Sequence, residues 1–173
     1  MTQQPDFGIR LARPEDDGAL WAILREVIRA GDSYAIDPGV TRERALALWT
    51  RTPRATYVAE RAGRILGTYY IRTNHPGPGA HVCNCGYMVA PEARGQGVAR
   101  AMCRHSQDEA RKLGYLAMQF NLVVSTNHVA VRLWESLGFE VAGRLPRAFR
   151  HPEAGLVDAL VMYRWLAQCE VTP

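Results

Sequence analysis

Between residues 80 and 124 the chain runs apolar strand, glycine-containing hinge, helix, apolar strand, and this run limits the folds open to it. Residues 80–90 (AHVCNCGYMVA) read as a strand, 97–113 as a helix closed by Gly114, and 115–124 as a strand of nearly continuous apolar character, as a central strand has. Parallel neighbouring strands need a crossover of this kind, so one β-α-β unit is expected around residues 81–124. The hinge is Pro91-Glu92-Ala93-Arg94-Gly95-Gln96-Gly97. Glycines let main-chain N–H groups approach a ligand closely. The free N–H groups and dipole of a helix start favour an anion, and Arg94 adds a charge. The segment therefore reads as a phosphate or pyrophosphate cradle, with a plain tight turn as the competing reading. No G-K-[ST] follows, which excludes a Walker loop, and Arg100 stands where a dinucleotide fingerprint has its third glycine.

The remaining segments complete a mixed α/β pattern. Residues 7–12 alternate as a strand. Pro14 to Ala30 is an amphipathic helix with Leu20, Ile23, Leu24, Val27 and Ile28 at helical spacing and Gly31 as its stop. A polar loop, GDSYAIDPGV, leads to a second helix near 41–50. Two strands, 55–60 and 64–71, flank Arg61-Ala62-Gly63 as a hairpin. The loop TNHPGPG precedes the crossover. A last helix over 127–137 ends at Gly138, and strands near 139–149 and 156–165 close the chain. The expected order is β-α-α-β-β-β-α-β-α-β-β. It reads as one domain over residues 1–173, with its core at about 7–166 and a largely antiparallel sheet.

Composition excludes several classes. Hydrophobic residues make up 47% and charged residues 22%, an ordinary globular balance. No stretch approaches the ~20 apolar residues of a membrane span, and MTQQPDFGIRLARPE lacks the apolar core of a secretory signal, so the cytoplasm is the expected location. The net charge is +4 and Lys112 is the sole lysine. The arginines form no run, so nucleic acid is not expected as a partner, while arginine suits bidentate phosphate contacts. Cys83, Cys85, Cys103 and Cys169 are expected as thiols. His81, Cys83 and Cys85 share one strand face, but a structural zinc site wants four ligands and no second cluster follows, so no metal is expected.

Arg94-Gly95-Gln96-Gly97-Val98-Ala99 matches the acyl-CoA signature [Q/R]-x-x-G-x-[G/A] of the GCN5-related N-acetyltransferase (GNAT) family. The later stretch Asn127, Ala130, Leu133, Trp134, Gly138, Phe139 resembles that family's N-x-x-A-x-x-L-Y-x-x-x-G-F motif, with Trp134 in place of the tyrosine. The element order agrees over nearly the whole chain. The resemblance implies a GNAT-like, mostly antiparallel twisted sheet of about seven strands with about four helices. It also implies acetyl-CoA as acyl donor. Main-chain groups at Met88 and Val89 would pair with its pantetheine arm, Arg94 to Ala99 would hold its pyrophosphate, and Asn127 would touch the arm. A second likeness is to the fungal acetyltransferases that detoxify the proline analogue azetidine-2-carboxylate. It rests on His81–Tyr87, Phe120–Val123 and Thr126-Asn127, and their three asparagines are matched by Asn84, Asn121 and Asn127. It suggests that Asn84 and Asn121 line the acceptor site. Homodimers are frequent in the family.

Acetyl transfer to an amine needs a neutral nucleophile, donors for the carbonyl oxygen, and an exit for the thiolate. Asn84, mid-strand, carries an N–H₂ suited to substrate or oxyanion. It has no usable pKa and cannot be a base. The base candidates are His81, His75, Glu26 and His128, with His81 nearest the expected cleft. Trp134 is no practical acid; Tyr87 is a substitute candidate, and a thiolate can also leave unprotonated. Tyr34 on the first polar loop, together with Asn121 and Glu26, is a candidate for the acceptor pocket. The expected function is acetyl transfer to a small-molecule amine, an amino acid or proline analogue among them. A protein or peptide acceptor, or a non-catalytic acyl-CoA-binding regulatory module, are the alternatives.

Overall fold

The computed structural model describes residues 6–167. Seven strands form a single sheet in the order β1-β2-β3-β4-β5-β7-β6. They are β1 (Gly8–Leu11), β2 (Ala55–Arg61), β3 (Arg64–Thr73), β4 (Val82–Val89), β5 (Ala117–Val124), β6 (Glu140–His151) and β7 (Gly155–Trp165). Four α-helices accompany them: α1 (Asp17–Ala30), α2 (Arg42–Leu46), α3 (Val98–Lys112) and α4 (His128–Ser136). The element order, the hairpin at Ala62-Gly63 and the β4-α3-β5 crossover all agree with the sequence. β4 and β5 are the parallel pair; the other five pairings are antiparallel. Cys169 lies outside the described residues. Cys83, Cys85 and Cys103 are free thiols in the core.

Helix α1 buries Leu20, Ile23, Leu24, Val27 and Ile28, the stripe its sequence spacing specifies. Full burial of such side chains is worth about 1.5–3 kcal/mol each, so this face fixes the helix to the sheet. The second helix departs from expectation. It is α-helical only from Arg42 to Leu46 and then widens into a π turn over Ala47–Arg51. That turn carries Trp49, whose indole N–H donates to Thr68 Oγ1 at 3.0 Å. Thr56 Oγ1 donates to the Trp49 carbonyl at 2.6 Å. Two buried threonines thus bolt Trp49 onto the sheet, and periodicity alone does not report such bonds.

β4 and β5 pair only through Val82–Ala117, Cys83–Met118 and Asn84–Gln119. Beyond Asn84 the two strands part. The β5–β7 register also shifts between Phe120 and Val123, leaving Asn121 and Leu122 in a bulge at the notch. Among the described residues no helix is long and apolar enough to cross a membrane.

Candidate active site

The notch between β4 and β5 opens into a cleft of about 460 Å³ that runs from the loop after β4 to the cover formed by Trp49 and the loop after α1. Its wall is unpaired main chain. The Ala90 N–H bonds the Leu66 carbonyl and the Asn74 N–H bonds the Val82 carbonyl. By strand alternation, even-numbered residues turn their main chain to β3, and Cys85, Tyr87 and Val89 turn theirs to the notch. Val89 therefore faces the notch, whereas the Met88 main chain faces β3 and its side chain is buried. Of the groups facing the notch, those of Tyr87 are taken. The Tyr34 hydroxyl accepts from the Tyr87 N–H at 2.7 Å and donates to the Tyr87 carbonyl at 2.7 Å.

At the end of β4 a 3₁₀ turn, Pro91–Ala93, leads into Arg94 and the two glycines. Gly95 and Gly97 have φ of 75° and 79°, a region other residues resist. A Cβ at either would meet nothing within 4 Å, so conformation and open space, not crowding, call for glycine. The N–H groups of Gly95, Gly97, Val98, Ala99 and Arg100 have no acceptor among the described residues. Gln96 is spoken for: its amide donates to the Glu92 carbonyl at 2.8 Å and accepts from Arg61 at 3.2 Å. Arg94 is exposed and lines the cleft. Bare amides at a helix start, one cation and open space fit a diphosphate.

Asn127 caps α4, its Oδ1 accepting from the Ala130 N–H at 3.1 Å, and its side chain also lines the cleft. Trp134 packs against Tyr87 at 5.0 Å and Phe120 at 5.2 Å between ring centroids. It serves as a wall. The Tyr87 hydroxyl is held by Ser106 Oγ at 2.7 Å, and burial pushes its pKa well above the usual tyrosine value.

The far end of the cleft is built from side chains. Asn84, 4% exposed, sits at the last rung of the β4–β5 pairing. Its Nδ2 donates to the Gln119 carbonyl at 2.9 Å, while its Oδ1 accepts from Arg72 Nε at 3.0 Å and Tyr70 Oη at 3.2 Å. Gln119 donates to Asn121 at 2.9 Å and Asn121 to Asn74 at 2.7 Å. Gly86 makes room for this cluster, since a Cβ there would fall 2.7 Å from the Tyr70 ring. Trp49 closes the cover, edge-on to Tyr34 at 5.8 Å and to Tyr70 at 4.8 Å.

The structure thus gathers Asn84, Asn121, Tyr34, Met88, Val89, Arg94 and Asn127 around one cleft. The base candidates lie elsewhere. His81 is exposed just before β4 with Nδ1 3.2 Å from the Pro78 carbonyl. Glu26 is exposed on α1, near Arg25, and faces a second, shallower depression against Pro91 and Glu92. His75 and His128 are exposed and outside the lining. Among the described residues no carboxylate, histidine or lysine lines the cleft. Burial raises the pKa of Tyr34, Tyr70 and Cys85 as well, so these groups stay protonated near neutrality. Sequence reasoning missed Arg72, Tyr70 and Trp49 in the site. Their strand and helix patterns carry no motif; only the fold brings them to Asn84. Among the described residues no group of three His, Cys, Asp or Glu is placed to hold a metal ion.

A notch between parallel strands that ends on a bare-amide loop has room for an elongated ligand that carries a diphosphate. The chain belongs to the acetyltransferase (GNAT) family, whose model matches residues 21–139. It is 47% identical to a GCN5-related N-acetyltransferase from Kribbella flavida, with a TM-score of 0.88 over 92% of this chain and 98% of that one. A phosphinothricin acetyltransferase from Sinorhizobium meliloti, solved in complex with acetyl-CoA, shares the fold with a TM-score of 0.83 at 21% identity, over 97% and 92% of the two chains. The N-acetyltransferase aca1 of Schizosaccharomyces pombe is 39% identical over 98 residues, 56% of this chain and 47% of that protein. The chain spans less than half the length of the curated relatives it matches.

Proposed function

We propose that the protein transfers the acetyl group of acetyl-CoA to the amine of a small molecule. The observation that carries this reading is the parting of β4 and β5 beyond Asn84, directly beside the bare amides of Gly95 to Arg100. The amides and Arg94 hold the diphosphate. Val89 offers main-chain partners for the pantetheine arm, and Asn127 flanks it. Family membership and the acetyl-CoA complex of a protein with the same fold support this choice of donor. The Tyr34, Trp49 and Tyr70 cover favours a small acceptor over a polypeptide, and the likeness to the fungal azetidine-2-carboxylate enzymes points the same way.

The reaction is direct attack in a ternary complex. The amine lone pair forms the C–N bond as the C–S bond breaks. The sulfur leaves with the bonding pair, and the amine nitrogen gives a proton to solvent. The cleft supplies position and an apolar wall rather than a proton acceptor. A thiol-release assay with acetyl-CoA against a panel of amines, amino acids, proline analogues and peptides tests the reading. Release with small amines supports it. Release with peptides alone replaces the acceptor class, and coenzyme binding without release with any amine leaves a regulatory module instead.

A further inference from the structure

Arg72 is the half-buried arginine that lines the cleft; Arg100 and Arg164, half-buried and likewise without an ion pair among the described residues, lie outside the lining. Arg10 is paired with Asp16 and Glu60, and Arg61 with Asp6. Arg72 has no carboxylate within 4.0 Å among the described residues, yet it lies in the wall of the cleft beside Asn84. Its guanidinium is held from two sides. Nε donates to Asn84 Oδ1 at 3.0 Å, and the guanidinium carbon lies 5.4 Å from the centroid of the Tyr70 ring. Both Nη groups, the fork that grips a carboxylate in bidentate fashion, have no partner among the described residues. A cation half removed from water wants an anion, and the lining near it offers only neutral side chains: Tyr70, Asn84, Asn121 and Trp49. The other cation of the lining, Arg94, sits beside the bare amides and is assigned to the diphosphate.

The geometry points to an acceptor that brings its own anion: an amine carrying a carboxylate, with Arg72 as the residue that recognises it. The inference rests on the acetyltransferase reading and names the acceptor class. Asn84 and Tyr70 are positioning residues in it, because they fix the guanidinium. The α-amino and imino acids have this layout, with amine and carboxylate separated by one carbon. Binding the carboxylate at Arg72 would put the amine a few ångströms along the notch, toward β4.

The test compares L-proline and L-alanine with their primary amides and with the corresponding decarboxylated amines, as acceptors for acetyl-CoA. The expected kcat/KM for the acids exceeds that for the amides by about 30–100-fold, the scale of a charge-assisted bidentate contact. Arg72→Gln keeps a donor for Asn84 Oδ1 but removes the charge, and it should collapse this preference through KM. Arg72→Lys should restore part of it. Binding supplies a readout independent of turnover: with CoA present, N-acetyl-L-proline should bind more tightly than N-acetyl-L-prolinamide in calorimetry, and Arg72→Gln should erase the difference. Equal use of acids and amides, or an unchanged preference in Arg72→Gln, overturns the proposal while leaving acetyl transfer standing. Absence of thiol release with every amine sinks the acetyltransferase reading. In that case the calorimetry still decides whether Arg72 binds carboxylates.

Discussion

The two ends of the cleft are made of different material. The end proposed for the donor is main chain: the amides of Gly95, Gly97 and Val98 to Arg100 and the open edge of β4 at Val89. The end proposed for the acceptor is side chain: Tyr34, Trp49, Tyr70, Arg72, Asn84 and Asn121, drawn from five separate stretches of sequence. Main chain can hold any molecule with a diphosphate and an amide-bearing arm, and it tolerates sequence change wherever the backbone path is kept. Side chains choose among acceptors and can be replaced one at a time. A fold divided in this way can keep one donor and vary its acceptor.

If the division holds, damage at one end should leave the other readable. The largest effect is expected for Gly97→Glu. The residue sits at φ 79°, which strains any side chain by about 1–2 kcal/mol, and the added carboxylate would oppose the diphosphate. Affinity for acetyl-CoA should fall by at least about 100-fold in calorimetry. Gly97→Ala, with open space around its Cβ, should lose far less, and equal losses in the two variants would show that charge plays no part.

Asn84→Ala probes the opposite end. It removes the acceptor for Arg72 and Tyr70 and the clip to Gln119. Turnover should drop by about 30-fold, while acetyl-CoA affinity stays within about twofold. Loss of coenzyme affinity in place of turnover would move Asn84 to the donor end.

The pH profile sharpens the same contrast. The ionisable groups of the acceptor end with resolved shifts are all pushed upward by burial, so they are protonated and inert as bases at neutral pH. The acceptor amine must then arrive neutral by itself. Below the amine's own pKa, kcat/KM should fall about tenfold per pH unit, with no inflection near the histidine value of ~6.5. His81→Gln should leave the profile unchanged. A plateau set by a group of the enzyme would contradict this. The smallest effect is expected for Tyr34→Phe, which strips the Tyr87 N–H and carbonyl of their 2.7 Å partner. The cost is about 1–3 kcal/mol, seen as a lower melting temperature of about 2–4 °C for each kcal/mol.

The same contrast explains what the sequence disclosed. The crossover, the Gly95–Gly97 hinge, the Asn127 cap and the Leu20–Ile28 stripe depend on neighbours a few residues away, and local chemistry announces each of them. Arg72 and Tyr70 look like any strand residues until β3 is laid beside β4. Trp49 looks like a helix core residue until Thr56 and Thr68 draw it into a π turn. Glu26 and His81 carry the right chemistry for a base, but on α1 and just before β4 both are exposed and outside the cleft lining. Spacing along the chain cannot report which side of a sheet a helix covers.

The central claim is that a donor lies along β4 with its diphosphate on the amides before α3. Titration of acetyl-CoA into ¹⁵N-labelled protein tests it directly. The account predicts large amide shifts at Val89, Gly95 and Gly97 through Arg100, with Arg72 and Asn84 nearly still until an acceptor is added. Shifts centred on another surface, or none at millimolar acetyl-CoA, would contradict it.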